Sequence, residues 1–136
     1  MKFEDSPFFG SIKYSVLRLD FGIYYLCDTF IVGELNEGIH FDEAKAKIIG
    51  KEIIKFYGKR PKICLISNRV NSYSVDPQNW VRVMEMYPDI LRGSCIISYN
   101  QLSKFNADLE KRFFSESIFR CNNLSEAINW AQKHNE

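Results

Sequence analysis

The side chains best suited to recognition or chemistry lie together in one polar segment, residues 67–76. This segment follows the apolar run Ile63-Cys64-Leu65-Ile66 and precedes Pro77. A guanidinium among amide and hydroxyl groups can clamp an anion or a partner's carboxylate, and a tyrosine at a loop tip can anchor an interface. We therefore expect a loop that contacts a partner. Its candidate residues are Asn68, Arg69, Asn71, Ser72, Tyr73, Ser74 and Asp76.

Two serines of this segment, Ser72 and Ser74, are also candidate phosphoacceptors. They precede a predicted helix that has Asp76 at its N-cap and Pro77 at its first position. A phosphate near a helix N-terminus gains from the helix dipole and from free backbone N–H groups. The alternative, which we favour, is that both are ordinary turn and capping serines.

The sequence offers little for catalysis. Its histidines are His40, which we place at a helix entrance where it could be the cap, and His134, close to the end of the chain. A hydrolase or transferase using Ser72 or Ser74 would need a base within hydrogen-bond reach, and none is visible in the sequence. No glycine-rich phosphate-binding motif is present. We therefore expect a protein that is not an enzyme and has no cofactor.

The four cysteines are expected to be buried, free thiols. They are separated by 26 or more residues, without a C-x-x-C pair. Three of them lie in runs that predict buried strands, where cysteine behaves as a small hydrophobic residue. This interpretation is favoured over a metal site or a disulfide. The residues are Cys27, Cys64, Cys95 and Cys121.

Length and composition indicate one domain over residues 1–136, with a lead at 1–10 and a frayed tail at 133–136. The 136 residues are 46% hydrophobic, enough for a core without disulfides or a metal. With 18 Lys and Arg against 17 Asp and Glu, the charge does not indicate a nucleic-acid partner. The sequence starts without a signal-peptide pattern and has no window apolar enough to cross a bilayer. We expect a cytoplasmic protein without membrane insertion.

The element pattern predicts an α/β fold with the order β-β-β-α-β-α-β-α-β-α. Three short strands end near residue 35, and an amphipathic helix follows from about 41 to 57. The consecutive apolar residues 63–66 are typical of a central strand covered on both faces. Later strands are predicted at 94–99 and 118–120, and later helices after Asp76, at 101–114 and at 124–134. We expect a mixed sheet of five or six strands with helices mainly on one face.

Several of these segments resemble one known family. Gly22-Ile23 opens the second strand, residues 39–45 lead into the first helix, and the run 117–130 ends in Ala127-Ile128-Asn129-Trp130. Together, over about residues 12–132, they resemble the bacterial STAS-like proteins, whose SpoIIAA-like fold is that of the anti-sigma-factor antagonists. The resemblance implies a regulatory domain that acts by binding another protein.

The segment 67–76 departs from the pattern of that family. In the phosphorylated antagonists the central strand ends in an acidic residue, and the next helix opens with an Asp-Ser-Ser-Gly turn. Here the acid is replaced by Asn68 or is missing, and no serine of the segment is followed by glycine. This departure argues against a phosphoserine switch and leaves Arg69 and Tyr73 at least as interesting as the serines.

An alternative function is binding of a small molecule or lipid. Its pocket would lie between the sheet and the aromatic residues of the later helices, which are Trp80, Phe105, Phe113 and Phe114. The same side chains could equally fill a core. Self-association through a sheet edge is a further hypothesis.

Overall fold

Most of the predicted strands assemble into one six-stranded sheet. The computed structural model describes residues 1–76, 78, 82, 85, 89–100, 104, 105, 107, 108 and 118–134. The strands are β1 (Tyr14–Leu19), β2 (Gly22–Cys27), β3 (Phe30–Leu35), β4 (His40–Phe41), β5 (Ile63–Arg69), β6 (Ser74–Val75), β7 (Leu91–Ser98) and β8 (Ile118–Cys121). The main sheet has the order β1-β2-β3-β5-β7-β8, and β4 pairs separately with β6.

The sheet is mixed, as predicted. The strands β1, β2 and β3 form an antiparallel meander, whereas β3, β5, β7 and β8 run parallel to one another. Parallel neighbours need a crossover connection, and helix α1 (Glu43–Tyr57) joins β3 to β5 in this way. The carboxyl ends of β3, β5 and β7 therefore lie along one edge of the sheet.

Helix α1 begins one or two residues later than predicted. Its N-cap is Asp42, whose Oδ1 accepts a hydrogen bond from the backbone N–H of Lys45 at 3.1 Å. The proposed cap, His40, lies instead in β4, so that prediction was wrong. The helix ends at Tyr57, and Gly58 follows as the C-cap with a φ of 99°, which suits a residue without a side chain.

The two faces of the sheet carry separate cores. On one face the C-terminal helix (Leu124–His134) packs through Ala127 and Ala131 against the sheet, and the N-terminal Phe3 joins this core. On the other face α1 packs through Ile49 and Ile53. Lys133 and His134, which we expected in a frayed tail, are the last residues of the C-terminal helix.

Two predicted helices fall largely outside the described residues. In the helix expected after Asp76, the described residues Gln78, Arg82 and Glu85 are helical, and so is Ala107 in the helix expected at 101–114. Ala107 is fully buried and packs with Ile96 and Ile118. Along β7, Ile96 lies between Cys95 and Ile97, which face the C-terminal helix, so Ile96 faces the α1 side. Ala107 packs against Ile96 and therefore lies on the same face of the sheet as α1.

The N-terminal residues are part of the fold. Phe3 opens a short 3₁₀ turn (Phe3–Asp5), is 0% exposed and contacts the rings of Phe9, Tyr14 and Tyr25. Phe8 and Phe9 pack against the same core. In the described part of the chain, no helix combines the length and apolarity needed to cross a membrane.

Candidate functional site

The central strand is longer than the sequence predicts, and this divides the candidate residues between two faces. Ser67, Asn68 and Arg69 belong to β5 and pair with Ile96, Ile97 and Ser98 of β7. Side chains alternate along a strand, so Asn68 faces the C-terminal helix side, while Ser67 and Arg69 face the α1 side. The prediction that all three lie in a loop was wrong.

The residues after β5 are paired with the residues after β3. We call the segments 36–41 and 70–76 together the paired-loop surface. Backbone hydrogen bonds join the two segments. The N–H of Gly38 donates to the carbonyl of Ser72 at 2.8 Å, that of Ser74 to the carbonyl of Ile39 at 2.9 Å, and that of Asp76 to the carbonyl of Phe41 at 3.3 Å. The side-chain amide of Asn71 adds a hydrogen bond to the carbonyl of Leu35 at 3.0 Å. The segment therefore has a defined backbone, fixed by a partner strand distant in sequence.

The exposed serines lie on this surface. The backbone N–H of Ser72 donates to the carboxylate of Glu37 at 2.6 Å. The hydroxyl of Ser74 lies 2.7 Å from Nδ1 of His40, and both side chains are exposed. Neither serine is at a helix N-terminus, because Asp76 occupies that place and its Oδ1 accepts a hydrogen bond from Gln78 N–H at 3.0 Å.

The Ser74–His40 pair was not anticipated, because the two residues are 34 apart in sequence and meet through the β4–β6 pairing. A hydroxyl beside an imidazole is the start of a nucleophile–base pair. Activation also needs an orienting group for the base and shelter from water. Here both residues are exposed, and within the described residues no carboxylate contacts the other ring nitrogen of His40. The arrangement is that of a surface hydrogen bond.

Arg69 and Tyr73 line a cleft on the α1 face of the sheet. Arg69 is 5% exposed, its Nε donates to Ser67 Oγ at 3.3 Å, and its guanidinium lies 5.3 Å from the centre of the Tyr73 ring. The Tyr73 hydroxyl is 2.9 Å from the same Ser67 oxygen. The remaining walls are formed by Tyr24, Gly33, Leu35, Phe41, Leu65 and Val75.

The size of this cleft limits what it can hold. Its volume is about 40 Å³, enough for a few water molecules or one small polar group. Pockets for drug-sized ligands are roughly 300 Å³ or more. Of the residues of the predicted aromatic pocket, Phe105 is 60% exposed and does not line this cleft, while Trp80, Phe113 and Phe114 fall outside the described residues.

A buried polar network that was not predicted from the sequence lies on the opposite face of the sheet. The carboxylate of Glu34, at 8% exposure, accepts hydrogen bonds from Phe3 N–H at 2.8 Å and from the Asn68 amide at 2.6 Å. The same Asn68 amide donates to the carbonyl of Met1 at 2.9 Å, and its oxygen accepts the hydroxyl of Tyr99 at 2.6 Å. Asn68 is 0% exposed. This residue of the predicted contact loop therefore lies inside the fold, where it holds buried groups together.

Burial determines the ionisation of this network. It raises the pKa of the Glu34 carboxyl, although the hydrogen bonds from Phe3 and Asn68 oppose this change. Burial, and to a smaller extent the charge of Glu34, raise the pKa of Tyr99 to about 12. One sequence signal could have revealed the site, since Glu34 is two residues from Val32 in an otherwise apolar strand and must face the same core.

The described side chains do not indicate a metal centre. Among the residues that the structure describes, no three histidine, cysteine or acidic side chains cluster closely enough to hold a metal ion. The carboxylates near the paired-loop surface are engaged with cations or backbone groups. Arg82 lies between Glu43, at 3.7 Å, and Asp76, at 4.0 Å.

Comparison with solved structures assigns the fold. The chain is similar to an uncharacterised protein of the DUF3478 family from Shewanella loihica PV-4, which is described as having a SpoIIAA-like fold. The fold of the present chain is SpoIIAA-like. The match covers 88% of this chain and 93% of that one, with a TM-score of 0.53 and 10% sequence identity. No protein-family model and no curated protein matches the sequence. The resemblance inferred from the sequence is thus confirmed for the fold. At this sequence identity, structural similarity does not indicate a shared activity.

Proposed function

We propose that the protein is a non-catalytic regulatory module that binds another protein through the paired-loop surface. The observation that carries the proposal is the backbone pairing of segments 36–41 and 70–76 at the carboxyl edge of the parallel strands. A surface whose backbone is already ordered loses less conformational entropy on binding than a flexible loop. Exposed Glu37, His40, Ser72 and Ser74 supply its polar contacts.

Phosphorylation would act differently at the two exposed serines. A phosphate on Ser74 would lie beside the imidazole of His40, which becomes a favourable partner when it is protonated. A phosphate on Ser72 would enter the neighbourhood of the Glu37 carboxylate, which binds the Ser72 backbone. Like charges repel, so Ser74 is the better candidate for a regulatory modification.

Lipid or small-molecule binding is the weaker alternative. The cleft over Arg69 is about 40 Å³, far smaller than a fatty acyl chain requires. Because Arg69 and Tyr73 form its walls, this cleft is better suited to receive one small polar group of a protein partner.

Affinity capture with the full chain as bait tests the proposal. The variants are Ser72→Asp and Ser74→Asp on the paired-loop surface, with Ser125→Asp on the exposed side of the C-terminal helix as the matched control. We expect one protein from the source cells to bind wild type and the control equally. At least one loop variant should bind it about tenfold more weakly, equivalent to ~1.4 kcal/mol.

A third variant, Arg69→Ala, tests whether the cleft contributes to binding of the partner. Because Arg69 is buried, its result counts only if circular dichroism and the melting temperature show that the variant is folded. Recovery of no specific partner, or of a partner that binds all loop variants as well as wild type, would refute the proposed surface.

A further inference from the structure

Two of the four cysteines lie against each other inside the core. Cys95 of β7 and Cys121 of β8 are on neighbouring parallel strands and face the C-terminal helix side of the sheet. Their sulfur atoms are 2.6 Å apart. A disulfide bond is about 2.05 Å long, so the sulfurs need to approach by only about 0.5 Å more.

The other two cysteines provide an internal contrast. Cys27 of β2 and Cys64 of β5 contribute to the same core but are separated by β3. Their sulfurs are near backbone carbonyls, of Tyr25 at 3.9 Å and of Ala131 at 4.0 Å. Cys95 and Cys121, by comparison, are in direct contact through their sulfur atoms.

We propose that Cys95 and Cys121 are a modification site, a dithiol that closes reversibly into a disulfide between β7 and β8. The bond would fix the last strand of the sheet order, since among the described residues β8 pairs with β7 alone. Cys121 is also three residues before the C-terminal helix. The disulfide would therefore tie the start of that helix to the central strands.

The reaction needs an external two-electron oxidant, and hydrogen peroxide is sufficient. One thiolate attacks a peroxide oxygen, the O–O bond breaks, and a sulfenic acid and water form. The second thiol then attacks the sulfenic sulfur and releases a second water, so that two thiols and one peroxide give one disulfide and two waters. A reducing thiol restores the pair by exchange.

Burial makes this a slow site that reacts through opening of the sheet edge. Cys95 is 0% and Cys121 3% exposed. The adjacent Cys121 thiol, together with burial, raises the pKa of Cys95 and lowers its thiolate fraction. Edge elements open locally more easily than central strands, and the same burial protects the closed disulfide from reductants.

Thiol counting on the intact protein tests the proposal. The reduced full chain is freed of reductant, exposed to hydrogen peroxide, then unfolded in denaturant and alkylated, and its mass gives the number of labels. We expect the label count to fall from four to two, and to return to four when a reductant is added before alkylation. Peptide mapping should find Cys95 linked to Cys121.

Matched variants locate the effect. Cys64→Ala should retain the loss of two labels, falling from three to one, whereas Cys121→Ala should abolish it. The wild-type measurement stands even if a variant fails to fold. Four labels after oxidation, a link between other cysteines, or a link between two molecules would overturn the inference.

Discussion

Replacing Glu34 with glutamine should change how the stability of this protein depends on pH. Burial raises the pKa of the Glu34 carboxyl in the folded chain above the ordinary value of about 4.3. As the pH rises from about 4.3 to the folded pKa, the unfolded chain loses this proton while the folded chain retains it. Stability that is present below about pH 4.3 is therefore lost as the pH rises through that interval.

The magnitude follows from the difference between the folded and unfolded pKa of this carboxyl. Each pH unit that separates the two values corresponds to about 1.4 kcal/mol. Glutamine keeps the shape of the side chain, and its amide oxygen can accept the hydrogen bonds from Phe3 and Asn68, but it does not titrate. The unfolding free energy of Glu34→Gln minus that of wild type should therefore increase by about 1.4 kcal/mol for each pH unit between the two pKa values, and then level off.

Urea titrations of both proteins between about pH 4 and pH 8 measure this difference. The neighbouring charged residues, Lys2 and Glu4, are present in both proteins. Glu85→Gln, at an exposed helical position, controls for the loss of a surface charge. If the difference between Glu34→Gln and wild type is the same at every pH, the carboxyl is not perturbed by folding and the reasoning fails.

Three further substitutions test the packing that positions the site, each measured by urea unfolding. Gly22→Ala would place a Cβ 2.7 Å from a backbone oxygen of β3 and should cost about 1–3 kcal/mol; Gly10→Ala, with no atom within 4 Å of its Cβ, should cost almost nothing. Phe3→Ala should cost about 3–5 kcal/mol, because the ring is fully buried; a loss below about 1 kcal/mol would mean that the N-terminal segment unfolds separately. Tyr57→Phe removes a hydrogen bond to the carbonyl of Cys27 and should cost about 1 kcal/mol, whereas an unchanged stability would show that water replaces it.

The regular elements could be predicted because local patterns determine them. The apolar run beginning at Ile63 indicated a central strand, and it has parallel neighbours on both sides. Helix α1 followed from apolar residues such as Ile49 and Ile53 at helical spacing, and these face the sheet. The predicted start near residue 41 is within two positions of the observed first residue, Glu43, and Asp42 is the cap.

The candidate site was harder to predict because long-range contacts create it. The polar residues 67–69 read as a loop, but pairing with β7 continues the strand through Arg69. Pairing of Ser74 with His40 joins residues 34 positions apart. No period in the local sequence encodes such contacts, and a polar segment beside an apolar strand has the same composition whether it is a free loop or a paired one.

The alternation along β5 also affects how substitutions in this region can be interpreted. Asn68 and Arg69 are neighbours in sequence, yet Asn68 holds the N-terminal segment and Glu34 on one face, and Arg69 contacts Ser67 on the other. A change at Asn68 leaves the buried Glu34 carboxylate without one of its donors, which is costly in a dry environment. Loss of partner binding after such a change would therefore report destabilisation of the fold. Only the exposed positions of the paired-loop surface, above all Ser72 and Ser74, can distinguish a lost contact from a lost structure.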